Sequence, residues 1–237
     1  TQLLIGEDGV KKLAGSHVLV VGLGGVGAYA AEQLARAGIG TMTIIDSDTV
    51  NVTNKNRQLL ALDSTLGRPK VDVMADRIRD INPEINVIPI NQYLKDQSII
   101  DLMAQPFDFI VDAIDTLAPK VFLLYYAVQN KQKIVSCMGA GGKFNPEMIQ
   151  ITDISKSYNC RLAFYIRKRL HRLGIREGIT VVFSPEKVAD TAFTIDEEQT
   201  DNKIATVGTI SYMPAVFGCF CASYVINALL SSCDQEH

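Results

Sequence analysis

Six residues do most to limit what this chain can fold into. Gly22-Leu-Gly-Gly-Val-Gly27 stands directly after the apolar run His17-Val-Leu-Val-Val21 and directly before the alanine-rich stretch Ala28 to Ala37. The apolar run reads as a short buried strand, and the alanine stretch, ended by Gly38 and Gly40, as a helix. A strand, a glycine turn and a helix open a βα unit, in which small residues let backbone N–H groups and the helix N-terminus come close to a phosphate. Asp46 follows the second apolar run Thr41-Met-Thr-Ile-Ile45, 19 residues after Gly27, where a carboxylate can accept hydrogen bonds from a ribose diol. To this point NAD and ATP fit equally, and so does the plainer reading that the glycines only permit tight packing of helix on sheet.

The βα rhythm continues. The pattern predicts a helix over Lys70 to Ile81 stopped by Asn82-Pro83, strands over Ile85 to Ile90 and Phe107 to Ala113, a helix from Pro119 to Asn130, and a strand from Lys133 to Cys137. Such alternation builds a doubly wound, Rossmann-like, mainly parallel sheet with helices on both faces, whose ligands bind beyond the strand C-termini. From Asn145 the pattern changes, to a strand Met148 to Thr152, a basic helix around Arg161 to Leu173 and a strand Ile179 to Phe183, so the sheet is expected to continue in a different sense. Residues 185 to 206 read as a loop or crossover, and a final apolar helix runs from about Met213 to Leu230. We read 1–237 as a single α/β domain, with a core over about 1–145 and an extension with mixed strands over about 146–237.

Composition narrows the class. With 47% apolar and 21% charged residues the 237-residue chain is of ordinary globular type. The longest apolar run, Ala215 to Leu230, is interrupted by Gly218, Ser223 and Asn227, so no run is read as reaching the ~18 residues of a membrane span, and no membrane partner is expected. The chain begins at Thr1 with no basic-then-apolar leader, and its five cysteines contain no C-x-x-C pair; both point to a reducing, cytoplasmic setting and away from zinc. The net charge of −3 argues against a general nucleic-acid binder. Locally the balance reverses: Lys156, Arg161, Arg167, Lys168, Arg169, Arg172 and Arg176 occur in one stretch without an acidic residue, either a solvated helix face or a contact for an RNA backbone. Tyr158 and Tyr165 in that stretch stack on bases or simply pack.

The segment between the second strand and the next helix separates the nucleotides. It carries Asn51-Val-Thr-Asn-Lys-Asn-Arg-Gln58 and Gly67-Arg-Pro-Lys70, a polar and cationic insert for which a dehydrogenase would have no use. Arg57 and Lys70 suit the oxygens of a triphosphate, where charge placed at phosphorus is the main contribution a protein makes. Asn54 is positioned to orient the same chain. Asp115, in Val111-Asp-Ala-Ile-Asp115 at the end of the fourth strand, suits Mg²⁺ on the outer phosphates. The plainer reading makes Arg57 and Lys70 surface charges and Asp112 and Asp115 helix caps.

In this order, GLGGVG, IIDSDTVNVTNKNRQ, GRPK and VDAID resemble the adenylating superfamily of ubiquitin-activating enzymes and their bacterial relatives in thiamine and molybdopterin synthesis. The resemblance implies Gly22, Gly24, Gly25 and Gly27 at the phosphates, Asp46 at the ribose, Asn54, Arg57, Gln58 and Lys70 at the triphosphate, and Asp115 at Mg²⁺. The segments SCMGAGGKFNPEMIQITDISKS, VVFSPE and GTISYMPAVFG are similar to the tRNA threonylcarbamoyladenosine dehydratase branch and extend the match to most of the chain. That branch implies ATP-dependent activation of the carboxylate of a threonylcarbamoyl group on an anticodon-loop adenosine of tRNA. An internal nucleophile then displaces AMP and closes a ring, with net loss of water.

The missing C-x-x-C pairs agree with this branch over the sulfur-carrier-activating ones, and intramolecular ring closure demands no catalytic cysteine. Cys137 is accordingly read as a small buried residue. Adenylation of the C-terminus of a ubiquitin-like sulfur-carrier protein, a non-catalytic ATP-binding partner and NAD-dependent dehydrogenation remain the alternatives. The resemblance also implies a homodimer, in which an arginine upstream of Leu-x-Gly reaches the partner subunit's nucleotide; no such arginine occurs after Thr1, so it either precedes Thr1 or another cation serves. A monovalent cation and a sulfur-transfer protein are the further cofactor and partner this reading admits.

Overall fold

The computed structural model describes residues 1–189, 192–194 and 206–231. Helix α1 (Gln2–Ala14), broken at Gly6, leads into strand β1 (His17–Val21), then α2 (Gly27–Ala37) and β2 (Thr41–Asp46). After two short 3₁₀ turns come α3 (Lys70–Ile81), β3 (Asn86–Asn91), α4 (Gln97–Met103), β4 (Phe109–Asp112), α5 (Leu117–Gln129) and β5 (Ile134–Cys137). The remainder comprises β6 (Gln150–Asp153), α6 (Arg161–Arg172), β7 (Thr180–Phe183), a small pair β8 (Phe193–Thr194) and β9 (Thr206–Val207), and α7 (Tyr212–Ser231).

Seven strands form one sheet in the order β3-β2-β1-β4-β5-β7-β6. Every neighbouring pair is parallel except β6 with β7, so the expected doubly wound sheet and its change of sense are both present. Pro89 sits in β3, at the sheet edge, where its missing N–H breaks no central ladder. Alternate strand residues feed two cores. Val18, Val20, Met42, Ile44, Phe109 and Val111 pack with α1, α2, α3 and α7 on one face. Leu19, Val21, Ile45, Ile110 and Phe183 pack with α4, α5 and α6 on the other. Each such side chain contributes about 1.5–3 kcal/mol when fully buried.

Three sequence expectations need correction. Neither α1 nor α4 was anticipated. The apolar helix expected from about Met213 to Leu230 is present as α7, but the expectation that its interruptions keep it below membrane-span length fails, since α7 is one 20-residue helix, long and apolar enough for a span by length and composition. Gly218, Ser223 and Asn227 carry no charge and do not break it; Met213, Phe217, Cys221, Val225 and Leu229 form a buried stripe that packs in the core against α1, α2 and the sheet. At Gly218 a β-carbon would lie 2.5 Å from the Val26 carbonyl oxygen and 2.8 Å from the Tyr29 Cβ, so this crossing of α7 over α2 has no room for a side chain. The segment read as a loop over 185–206 includes β8, and its residues 190, 191 and 195–205 lie outside the described residues.

Candidate active site

The sheet reverses winding between β1 and β4, and the glycine turn leaves β1 at that point. Gly22 (φ 89°) lies against β4, since a β-carbon there would stand 2.8 Å from the Ala113 carbonyl oxygen. A β-carbon on Gly27 would overlap the Gly22 carbonyl oxygen, so the turn closes on itself only with glycine at that position. Helix α2 then begins with no side-chain cap and no acidic residue in its first turn. Among the described residues no side chain caps its leading N–H groups, an arrangement that favours an external anion.

Asp46 closes the turn from the other side. Its Oδ2 accepts from the Leu23 N–H at 2.6 Å and its Oδ1 from the Asp48 N–H at 2.8 Å, which fixes the carboxylate beside the turn while each oxygen keeps a further lone pair. Burial raises its pKa above the ordinary aspartate value, against the opposing pull of Lys70 and those two N–H groups. Lys70 opens α3 and is only 3% exposed, which overturns the surface-charge reading; its Nζ donates to Asp48 Oδ2 at 2.8 Å. Asp48 is a member of the site that sequence reasoning missed: its carbonyl also receives the Lys70 N–H, and the bridge between Thr49 and Pro69 holds the two segments together.

The polar insert forms a reciprocal cap. Asn54 Oδ1 accepts from the Asn51 N–H at 3.0 Å, and Asn51 Oδ1 from the Thr53 N–H at 3.0 Å, so Asn54 orients the loop from within. Arg57, half-buried, donates through Nη1 to the Thr53 carbonyl and to Asn56 Oδ1, leaving Nε and Nη2 without a partner among the described residues. The Arg57 carbonyl and Pro214 of α7 flank Gly25, and Gln58 Nε2 stands 3.8 Å from where a Gly24 β-carbon would be. Asn56 Nδ2 donates to the Thr209 carbonyl at 3.1 Å, joining the insert to the segment that enters α7. Pro214 and Thr209 were not read as part of this region.

At the end of β4 the two aspartates differ. Asp112 is wholly buried; its Oδ2 meets the equally buried Lys120 Nζ at 2.8 Å and accepts from Ser136 Oγ at 2.6 Å. Asp115, exposed, makes no hydrogen bond or ion pair among the described residues. Neither caps a helix, since Thr116 is the N-cap of α5. Asp115 suits Mg²⁺, which takes one or two carboxylates together with phosphate oxygens rather than a full protein cage; among the described residues there is no cluster of three or more metal-ligating side chains. Cys137 is buried, and burial, followed by the neighbouring Cys221 thiol, raises its pKa well above the ordinary thiol value. A cavity of about 150 Å³ lies between the ends of β2 and β3 and helix α4, lined by Ile45, Gln92, Leu94 and Asp101.

Of the basic stretch, Lys156, Arg161, Lys168, Arg169 and Arg172 are exposed. Arg167 is set apart from them: its Nη1 donates to the Ser157 carbonyl at 2.5 Å and to Ser157 Oγ, so it pins the turn before α6.

A winding reversal, an uncapped helix behind a glycine turn and a carboxylate fixed beside it define a nucleotide-binding protein of the doubly wound class. A family model described as "ThiF family" matches residues 1–237, and the chain belongs to that family. It is 37% identical over 235 residues to a tRNA threonylcarbamoyladenosine dehydratase of Bacillus subtilis, covering 97% of this chain and 92% of the relative. The crystal structure of E. coli tRNA N6-threonylcarbamoyladenosine dehydratase, TcdA, in complex with ATP superposes with a TM-score of 0.91 at 35% identity, over 100% of this chain and 94% of that one. The molybdopterin-synthase adenylyltransferase of Escherichia coli is 43% identical, but over 111 residues, 47% of this chain and 44% of the relative.

Proposed function

We propose that this chain is an ATP-dependent tRNA threonylcarbamoyladenosine dehydratase. The observation that carries the reading is the reach of the likeness: the dehydratase of Bacillus subtilis matches 97% of the chain, whereas the molybdopterin-synthase adenylyltransferase matches 47%. The carrier-protein reading therefore accounts for half of the chain and the dehydratase reading for nearly all of it.

In the proposed reaction the threonylcarbamoyl carboxylate attacks the α-phosphorus of ATP. A carboxylate O–P bond forms, the bond to the bridging oxygen breaks, and pyrophosphate leaves. An internal nucleophile of the same group then attacks the acyl carbon, AMP departs with the carboxylate oxygen, and the ring closes with net loss of water. Gly22, Gly24, Gly25 and Gly27 bring backbone N–H groups to the phosphates, Asp46 accepts from the ribose, and Gln58 and Asn54 keep the insert in register over the turn. The Nε and Nη2 of Arg57, without a partner among the described residues, would donate to the charge that develops at phosphorus. Lys70 supplies a second cation by exchanging Asp48 for a phosphate oxygen. Asp115 would hold Mg²⁺, whose contribution is to neutralise the outer phosphates.

A homodimer is the assembly we propose, on the grounds that Leu3 and Leu4 are fully exposed on α1, which packs against α7. A cytoplasmic place of action follows from the tRNA substrate and fits the four described cysteines, all free.

The test is AMP formation from labelled ATP with threonylcarbamoyl-modified tRNA and with the same tRNA lacking the modification. The expected result is AMP only with the modified tRNA and a rate reduced about 10²–10³-fold in Arg57→Ala, the size of loss typical for one transition-state donor. AMP formation stimulated instead by a small carrier protein would transfer the site to the other substrate.

A further inference from the structure

Helix α6 shows a division that the proposed chemistry does not use. Ala163, Ile166 and Leu170 face the core, and the opposite side carries Arg161, Phe164, Tyr165, Lys168 and Arg172 at helical spacings of three and four. Phe164 is 52% exposed and Tyr165 40%, although each buries apolar area poorly where it stands. Their rings meet edge to face at 5.4 Å between centroids, and the Arg161 guanidinium lies 5.9 Å over the Tyr165 ring. Among the described residues no carboxylate pairs with any cation of this face, whereas elsewhere exposed cations such as Lys55 and Arg68 pair with Asp63 and Asp76.

The placement relates this face to the cleft. A β-carbon on Gly139, in the segment leaving the C-terminal end of β5, would lie 3.8 Å from Leu162 Cβ and 3.9 Å from Cys160 Sγ, so the first turn of α6 borders the end of the sheet where the nucleotide elements converge. The helix then runs away from it for about 17 Å, at ~1.5 Å per residue. The rings and Arg161 are at the cleft end, and Lys168 and Arg172 lie progressively farther off.

We infer that the Arg161–Phe164–Tyr165 cluster is a stacking platform for unpaired bases of the RNA substrate next to the adenosine that reacts, with Lys168 and Arg172 gripping the phosphates that follow. Unpaired bases stack on exposed aromatic and guanidinium planes, and uncompensated cations beside them neutralise the backbone. This is the combination expected of a reader of an RNA loop rather than of a duplex. The assignment rests on the tRNA reading of the active site and adds Phe164 to the contacts while removing Arg167, whose guanidinium is held within the chain.

The test uses the full chain and fluorescently labelled threonylcarbamoyl-modified tRNA, with affinity measured by anisotropy across a salt series. Phe164→Leu/Tyr165→Leu keeps apolar volume and removes the rings; it is expected to weaken binding about tenfold or more, leave the salt slope unchanged, and leave ATP affinity and binding of a fully paired RNA duplex unaltered. Lys168→Gln/Arg172→Gln is expected to lower the salt slope by about 1.4, the loss of two single-strand phosphate contacts. If the ring variant loses ATP affinity as well, the single variant Tyr165→Leu supplies the reading. Wild-type binding and AMP formation with an unchanged ring variant, or equal loss on the duplex, would overturn the platform and leave the dehydratase reading standing. No AMP from wild type with either tRNA would overturn both.

Discussion

Cations are treated differently in the two halves of this molecule. In the nucleotide half Lys55, Lys70, Arg77 and Lys120 each face a carboxylate of the chain, namely Asp63, Asp48, Glu32 and Asp112. On α6 the exposed cations face solvent with no carboxylate partner among the described residues. Paired cations are held in position, by burial in the cases of Lys70 and Lys120, and serve the fold or a defined exchange with phosphate. Unpaired exposed ones add little to stability and remain available to an outside polyanion. Among the cations of this half without an ion pair, Arg57 is set apart by its place: Lys12, Lys95, Lys131 and Lys133 are exposed, whereas Arg57 is half-buried yet bonded only to a carbonyl and an amide.

The sharpest way to break this contrast is to remove one cation from each half. Lys120→Met leaves Asp112 charged and uncompensated in a site with no solvent, and chemical denaturation is expected to show about 3–5 kcal/mol of lost stability. Lys168→Gln on α6 should change stability by no more than about 0.5 kcal/mol in the same assay. Equal losses would mean that the α6 cations are structural after all. The joint between the halves, where α7 crosses α2, comes next in size: Gly218→Ala forces a methyl against the Val26 carbonyl and Tyr29, for an expected cost of about 1–3 kcal/mol. Because Pro214 of the same helix abuts Gly25, ATP affinity should fall with it; unchanged ATP affinity would separate α7 from the site.

A smaller effect tests Asp46. Its ionised form accepts hydrogen bonds, and its pKa is raised by burial, so the acceptor is lost as pH falls through a value above that of an ordinary aspartate. Titration calorimetry between neutral and mildly acidic pH is expected to show ATP affinity declining over that range in the wild type and more weakly in Asp46→Asn. Parallel declines would place the titration on ATP itself.

Much of this fold was legible because local signals agreed. Helix α3 runs from Lys70 to Ile81 as expected, since Pro69 fixes its entry and Asn82-Pro83 ends it. Strands matched to within two residues wherever an apolar run was bounded by glycine or polar residues. Helix α1 was missed because Gly6 interrupts it and Leu3 and Leu4 point to solvent, and α4 because seven residues are too few to show a period. The site's membership was harder to read where it depends on distance along the chain: Asn56 and Thr209 are 153 residues apart, and nothing local in Pro214 announces Gly25 as its neighbour. Arg167 was legible in retrospect, since the helical period places it beside Ala163, Ile166 and Leu170.

The central claim, that a carboxylate is activated by transfer of AMP, is tested most directly by oxygen tracing. With tRNA whose threonylcarbamoyl carboxylate carries ¹⁸O at both oxygens, ATP and the full chain, mass spectrometry of the products should find one ¹⁸O in AMP and none in pyrophosphate. Label in pyrophosphate or orthophosphate, or ring closure with unlabelled AMP, would contradict the account.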